Sequence, residues 1–143
     1  VIVGFPGETD EIFQETLEFI ENLDVNYLHV FSYSERPNTT ARKMGGSIPK
    51  SIRSERSKIL QGISLLKKRA FYKSQYNREL KVLWEKENID GMLYGFTENY
   101  IRAFTPFDPN RINTIESVIT GESIQGEALL VTPSQTLIAH ETI

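Results

Sequence analysis

Val1-Ile2-Val3-Gly4-Phe5-Pro6-Gly7-Glu8-Thr9 opens the chain and decides how the rest is read. Three apolar residues run into a turn with two glycines and a proline, and an amphipathic segment follows at once. Strand, sharp turn and helix start, in that order, make the corner on which α/β proteins place cofactors. No turn and no initiator Met stand before the strand. The expectation is that residue 1 is a cut edge and the chain the tail of a longer protein.

Outward from this corner, residues 10–23 carry Phe13, Leu17 and Ile20 at helical spacing, with Ile12, Thr16, Phe19 and Leu23 alongside. Thr9 suits the N-cap, and Glu8, Asp10 and Glu11 suit the positive helix end. Asn22 to Asn26 reads as an exit turn. Tyr27-Leu28-His29-Val30-Phe31 then reads as a second strand, rich in β-branched and aromatic residues. Strand, helix, strand is a βαβ unit. The polar stretch from Ser32 to Ala41 leaves the C-terminal end of its strand, as the Gly4–Glu8 turn does, so both loops open on the rim where α/β sheets and barrels bind ligands.

Gly45-Gly46-Ser47 is a break, and Pro49 sits where a helix tolerates proline. Residues 50–74 predict one long helix. Its apolar stripe is Ile52, Ile59, Ile63, Leu66 and Ala70, widened by Leu60, Leu65 and Phe71. From Glu79 the pattern shortens to strands at 80–85, 91–96, 100–104, 112–120 and 128–131, with turn residues between. Five such strands predict a small closed barrel of the OB or SH3-like kind. The first part, with only two strands, exposes both sheet edges and calls for neighbours outside this sequence.

Composition narrows the function classes. Among 143 residues there is no cysteine and only two histidines, His29 and His140, which excludes a disulfide framework, a thiol nucleophile and a cysteine-ligated cluster built from this chain. No apolar run approaches the about 18 residues of a membrane helix, and the default compartment is the cytoplasm. The net charge of −3 is unevenly spread. Residues 1–48 hold 3 basic and 8 acidic side chains, residues 49–90 hold 11 and 5, and residues 91–143 hold 2 and 6. The basic middle, ending in Lys67, Lys68, Arg69 and Lys73, fits either a solvated helix end or a nucleic-acid contact.

Taken together, Val3-Gly4-Phe5-Pro6-Gly7-Glu8-Thr9, the stretch Leu28-His29-Val30-Phe31-Ser32-Tyr33-Ser34-Glu35-Arg36-Pro37-Asn38-Thr39-Thr40-Ala41, the long basic helix and Gly95-Phe96-Thr97-Glu98-Asn99-Tyr100-Ile101-Arg102 resemble the C-terminal part of the radical S-adenosylmethionine methylthiotransferases. The resemblance implies an α/β fragment, the last βαβ of a radical barrel, over residues 1–48. It implies a connecting helix over 49–74 and an OB-like five-stranded TRAM barrel over 75–143. The implied parent adds a methylthio group to C2 of a hypermodified adenosine in the anticodon region of tRNA, the TRAM domain binding the tRNA. Ser34-Glu35-Arg36-Pro37-Asn38-Thr39 and Lys68-Arg69-Ala70-Phe71-Tyr72 resemble most the subgroup acting on threonylcarbamoyladenosine. Isopentenyladenosine in tRNA and a ribosomal protein are the alternatives within the family. The family's usual Gly is Asn38 here, which tolerates the left-handed conformation.

The implied cofactors are S-adenosylmethionine and two four-iron four-sulfur clusters, whose cysteines belong upstream. None is expected in the fragment, which would be inactive alone. By resemblance, Ile2, Gly4, Gly7 and Glu8 lie beside S-adenosylmethionine, although Glu8 suits a helix N-terminal charge somewhat better. Ser34 and Arg36 line the substrate side, unless Arg36 instead pairs with an acid to fix its loop. Lys68, Lys73, Arg78, Lys81 and Arg102 are the candidate RNA contacts. The aromatic residues Tyr94, Phe96, Tyr100 and Phe104 serve either as a stacking face or as barrel core. Two other classes stay open: a stand-alone RNA-binding module, and a phosphate-binding α/β protein using the Gly4–Glu8 turn by itself.

Overall fold

The structure, a computed structural model, describes residues 1–134. They form two compact units that divide between Phe71 and Tyr72. The last nine residues of the segment assigned to the TRAM barrel, with His140 among them, lie outside the described residues.

In the first unit, β1 (Ile2–Val3) pairs in parallel with β2 (Phe31–Ser32), in the register Ile2 opposite Phe31 and Val3 opposite Ser32. Between them runs α1 (Asp10–Asn22), started by Thr9, whose hydroxyl accepts from the Ile12 amide at 3.2 Å. This is the expected βαβ unit, but its second strand is shorter than expected. Tyr27 to Val30 do not pair as a strand. Instead the hydroxyl of Ser64 accepts from the Leu28 amide at 2.8 Å and donates to the Leu28 carbonyl at 3.1 Å. One side chain thus satisfies both backbone groups that a ladder would have used.

A short helix, α2 (Thr40–Lys43), follows, and then α3 (Lys50–Ser74). The extent of α3 is as expected, yet its buried face takes in only part of the aliphatic stripe. Ile59 and Leu66 are 41% and 67% exposed, while Arg53, Arg56, Ser57 and Leu60 are buried. These four recur at helical spacing and present two guanidinium groups inward. Leu60 joins Val3, Phe13 and Ile20 in the core, flanked by Leu17, Leu28, Val30 and Ile63. Each fully buried apolar side chain of this kind contributes about 1.5–3 kcal/mol. Lys67 donates to the carbonyls of Glu21 and Leu23 and so caps the end of α1.

The second unit is a closed five-stranded barrel, as the pattern of short strands predicts. Its strands are β3 (Glu79–Ile89), β4 (Met92–Thr97), β5 (Arg102–Pro106), β6 (Ile115–Gln125) and β7 (Ala128–Pro133), in the order β3-β4-β5-β7-β6. Only β5 and β7 pair in parallel. Alternation fills the interior: Val82 and Trp84 point inward between exposed Lys81, Leu83 and Glu85, and Leu93, Ala103, Val118 and Val131 complete the core. The Trp84 indole donates to Glu116 at 2.8 Å, and Arg111 holds the same carboxylate. Residues Ile112 to Thr114, expected as strand, form a turn with Asn113 at φ +56°. β6 in turn continues past Gly121, bending at a register shift between Thr120 and Ile124. The hydroxyl of Tyr72, from the end of α3, accepts from the Arg102 amide at 3.0 Å. No described helix is long and apolar enough to cross a membrane.

Candidate functional site

Both rim loops of the first unit are organised by the two buried arginines of α3. Gly4 has φ +77°, and a Cβ there would lie 2.3 Å from Cγ of Arg53. Only glycine satisfies both the backbone conformation and the close approach. Beyond that contact, the Arg53 guanidinium donates to the carbonyls of Ile48 at 2.7 Å and Tyr33 at 3.1 Å, and takes both oxygens of Glu35 at 2.5 and 3.1 Å. It also lies over the Tyr33 ring at 5.2 Å. A bidentate arginine–carboxylate pair of this geometry is among the stronger polar contacts. The hydrogen bond from Arg53 holds the Glu35 carboxyl down to about 2, and the Arg53 pKa is raised in return.

Arg56 performs the matching task one turn further on. It donates to the Glu8 carbonyl at 2.7 Å, to the Glu8 carboxylate at 2.8 Å and to Asp10 at 2.8 Å. Burial works against its charge, but the bonds to Asp10 and Glu8 outweigh this and its pKa is raised. The Glu8 carboxylate also accepts from the Gly4 amide at 2.8 Å, closing the turn on itself. The side chains of Arg56 and Glu8 are only 6% and 11% exposed. Gly7, at φ +90°, donates to the Gly46 carbonyl at 2.8 Å, which brings the glycine break of residues 45–46 onto the same turn.

The cofactor-side candidates therefore separate. Gly4 and Glu8 are engaged in the shape of the turn, whereas Ile2 is 60% exposed and nothing lies within 4 Å of the position a Gly7 Cβ would take. Ser34 and Arg36 are exposed on the second loop, and Asn38 adopts φ +62°, the left-handed conformation expected of it. Arg36 pairs with no acid among the described residues; Glu35, its neighbour, fixes the loop instead. The buried Tyr33 hydroxyl, in the same loop, has no hydrogen-bond partner among the described residues.

Arg53, Arg56 and Glu35 were not singled out by sequence reasoning. The available signal was two arginines three residues apart, on a helix whose apolar stripe could be drawn on another face. Their acidic partners stand 18 and 48 positions away, beyond any local pattern.

The RNA-side candidates fall in both units. Lys68, in the first, lies over the Tyr27 ring at 5.6 Å. Lys73, Arg78 and Lys81 are exposed in the second. Arg102 pairs with Glu85 at 2.8 Å and lies over the rings of Tyr94 and Phe96 at 5.2 and 4.7 Å. Of the four aromatic residues, Phe104 is core and stacks on Tyr94 at 5.9 Å, while Phe96 and Tyr100 are 43% and 72% exposed. No group of three metal-ligating side chains occurs among the described residues.

No protein-family model matches the chain. Individual relatives do. The chain is 43% identical over 101 residues, 71% of its length and 23% of the relative's, to the threonylcarbamoyladenosine tRNA methylthiotransferase of Aquifex aeolicus. It is 38% identical over 118 residues, 82% of its length and 27% of the relative's, to the protein of the same name in Thermotoga maritima. To the tRNA-2-methylthio-N(6)-dimethylallyladenosine synthase of Rickettsia rickettsii it is 36% identical over 111 residues, 77% and 25% of the two lengths. The chain thus spans about a quarter of the length of the curated relatives it matches. On these similarities the chain belongs to the tRNA methylthiotransferase family.

Proposed function

We propose that these residues form part of a tRNA methylthiotransferase acting on threonylcarbamoyladenosine, the βαβ unit contributing one wall of the S-adenosylmethionine site and the TRAM barrel contacting the tRNA. The observation that carries this reading is the 43% identity to a relative of that name across 71% of the chain. In support, both rim loops leave the C-terminal ends of a parallel pair, the end on which such sheets bind ligands. Ile2 and Gly7 leave that rim open, and the unpartnered Tyr33 hydroxyl supplies a polar group beside it. Residues 1–48, 49–74 and 75–143 are taken as barrel end, connecting helix and TRAM domain.

On this reading S-adenosylmethionine and two iron–sulfur clusters supply the radical chemistry and the methylthio group when bound. The described residues offer no ligand set for the clusters. What the chain supplies toward S-adenosylmethionine is shape. Gly4 and Glu8 set the turn, Arg53 and Arg56 hold it, and Ile2 and Gly7 present the open surface. Ser34 and Arg36 face the target base. Alone, the 143 residues are expected to bind no iron and to cleave no S-adenosylmethionine.

A segment swap tests the reading. This chain is put in place of the matching segment of the Thermotoga maritima relative, and tRNA nucleosides are measured by mass spectrometry. Gain of the methylthio form of threonylcarbamoyladenosine is the expected result. A folded chimera that modifies only dimethylallyladenosine would move the assignment to the other subgroup. Separately, Lys68→Glu with Lys73→Glu is expected to weaken tRNA binding and flatten its salt dependence. Unchanged affinity at low salt would remove that surface from the tRNA contact.

A further inference from the structure

The outer wall of the barrel carries an apolar row that folding leaves in water. Ile115 on β6 is opposite Leu83 on β3, Leu83 is opposite Phe96 on β4, and Phe96 is opposite Arg102 on β5. Ile115, Leu83 and Phe96 are 69%, 54% and 43% exposed, so the row runs across neighbouring strands on the solvent face. With Lys81, Thr97, Glu98 and Tyr100 it lines a groove of about 370 Å³.

Tyr100 is the most informative member. It is 72% exposed and stands at φ +64°, a conformation that is uncommon for a bulky aromatic residue and carries strain. The turn that imposes it is well tied. The Thr97 hydroxyl donates to Asn99 and accepts from the Ile101 amide, and Asn99 donates to Gln75. Backbone strain is thus maintained to hold an aromatic ring outside the core. Beside it, the Arg102 guanidinium, paired with Glu85, lies over one face of the Phe96 ring at 4.7 Å. The Lys81 ammonium forms no ion pair among the described residues, although the Glu98 carboxylate accepts from its backbone amide at 3.4 Å.

We infer that this groove is a stacking site for unpaired bases of RNA, with Phe96 and Tyr100 as the platforms and Lys81 as the phosphate contact. The inference rests on the reading of the barrel as the tRNA-contacting part and assigns the contact within it. Exposed rings, a guanidinium plane and an unpaired lysine are the combination that binds single-stranded segments. A protein partner, or a second copy of this chain, would use the aliphatic members instead.

The experiment uses the full 143-residue chain and a single-stranded oligoribonucleotide carrying 2-aminopurine. Binding is expected to quench the 2-aminopurine fluorescence. Phe96→Ala should lower the affinity at least about 5-fold and remove the quench, with the slope of log affinity against log salt unchanged. Lys81→Ala should reduce that slope by about 0.7 and leave the quench. Tyr100→Gly is the decisive variant: it relieves the strained φ, so the thermal midpoint should hold or rise while affinity falls. RNA binding that is indifferent to Phe96→Ala and Tyr100→Gly overturns the groove assignment and leaves the barrel's RNA role standing. No binding by the unaltered chain overturns both. A dimer in sedimentation that Phe96→Ala dissociates, without RNA binding, assigns the groove to self-association instead.

Discussion

Arg56 and Glu8 show how much of the first unit hangs on single side chains. Both are nearly buried, and each guanidinium hydrogen bond goes to the Gly4–Glu8 turn or the start of α1. Removing the cation leaves a buried carboxylate without its counter-charge, which typically costs about 3–5 kcal/mol. Arg56→Met is therefore expected to lower the unfolding free energy of the first unit by about 3 kcal/mol. Urea titration checks it, and Arg56→Lys should recover only part, because a lysine cannot reach both acids in the fork geometry. Glu35 predicts a pH response. Its folded pKa of about 2 lies below the ordinary 4.5, so its contribution is complete above 4.5 and is lost as pH falls toward 2. The Tyr33–Asn38 loop should loosen in that window and not between pH 5 and 8. A carboxyl titration by NMR in Glu35→Gln and the unaltered chain follows it, and a Glu35 midpoint near 4.5 would contradict the bidentate pair.

Among the elements, β3 and β4 show how a small barrel closes. A Cβ on Gly95 would lie 2.4 Å from the Leu83 carbonyl oxygen, so the two strands cross more closely there than any side chain allows. The register shift between Trp84 and Asn88 begins at the residue paired with Gly95, and a close crossing and a bulge together bend the sheet. Gly95→Ala is expected to destabilise the barrel by about 1–3 kcal/mol, read as a lower denaturation midpoint with Trp84 fluorescence as the probe. α3 shows a different lesson. Its length and limits were legible from Pro49 and the run of helix formers, but the face that packs was not. Of the expected stripe Leu60 and Ile63 pack inward while Ile59 and Leu66 stay exposed, and Arg53, Arg56 and Ser57 take the rest of the buried face. The helical period tells which residues share a face; which face is covered depends on what lies opposite.

At the scale of the molecule, the two units differ in how completely they bury their apolar residues. The barrel encloses Val82, Trp84, Leu93, Ala103, Val118 and Val131, all from its own strands. Residues 72–143 expressed alone are expected to unfold cooperatively with buried-tryptophan fluorescence. A non-cooperative transition would show that the barrel depends on the first unit. That unit leaves Ile2, Phe19, Phe31 and Leu66 each 60% or more exposed, so it is expected to unfold at lower denaturant. The sequence by itself determined the order of the elements, the βαβ corner, the short alternating strands of the barrel and the family, because turn residues, strand alternation and motif spacing are local properties of the chain. Only the tertiary structure decided that Arg53 and Arg56 turn inward and that Ile115, Leu83 and Phe96 join in one outer row. Burying an arginine is favourable only where carbonyls and carboxylates converge on it. Here they come from Glu8, Asp10, Tyr33, Glu35 and Ile48, which only the fold brings to one place.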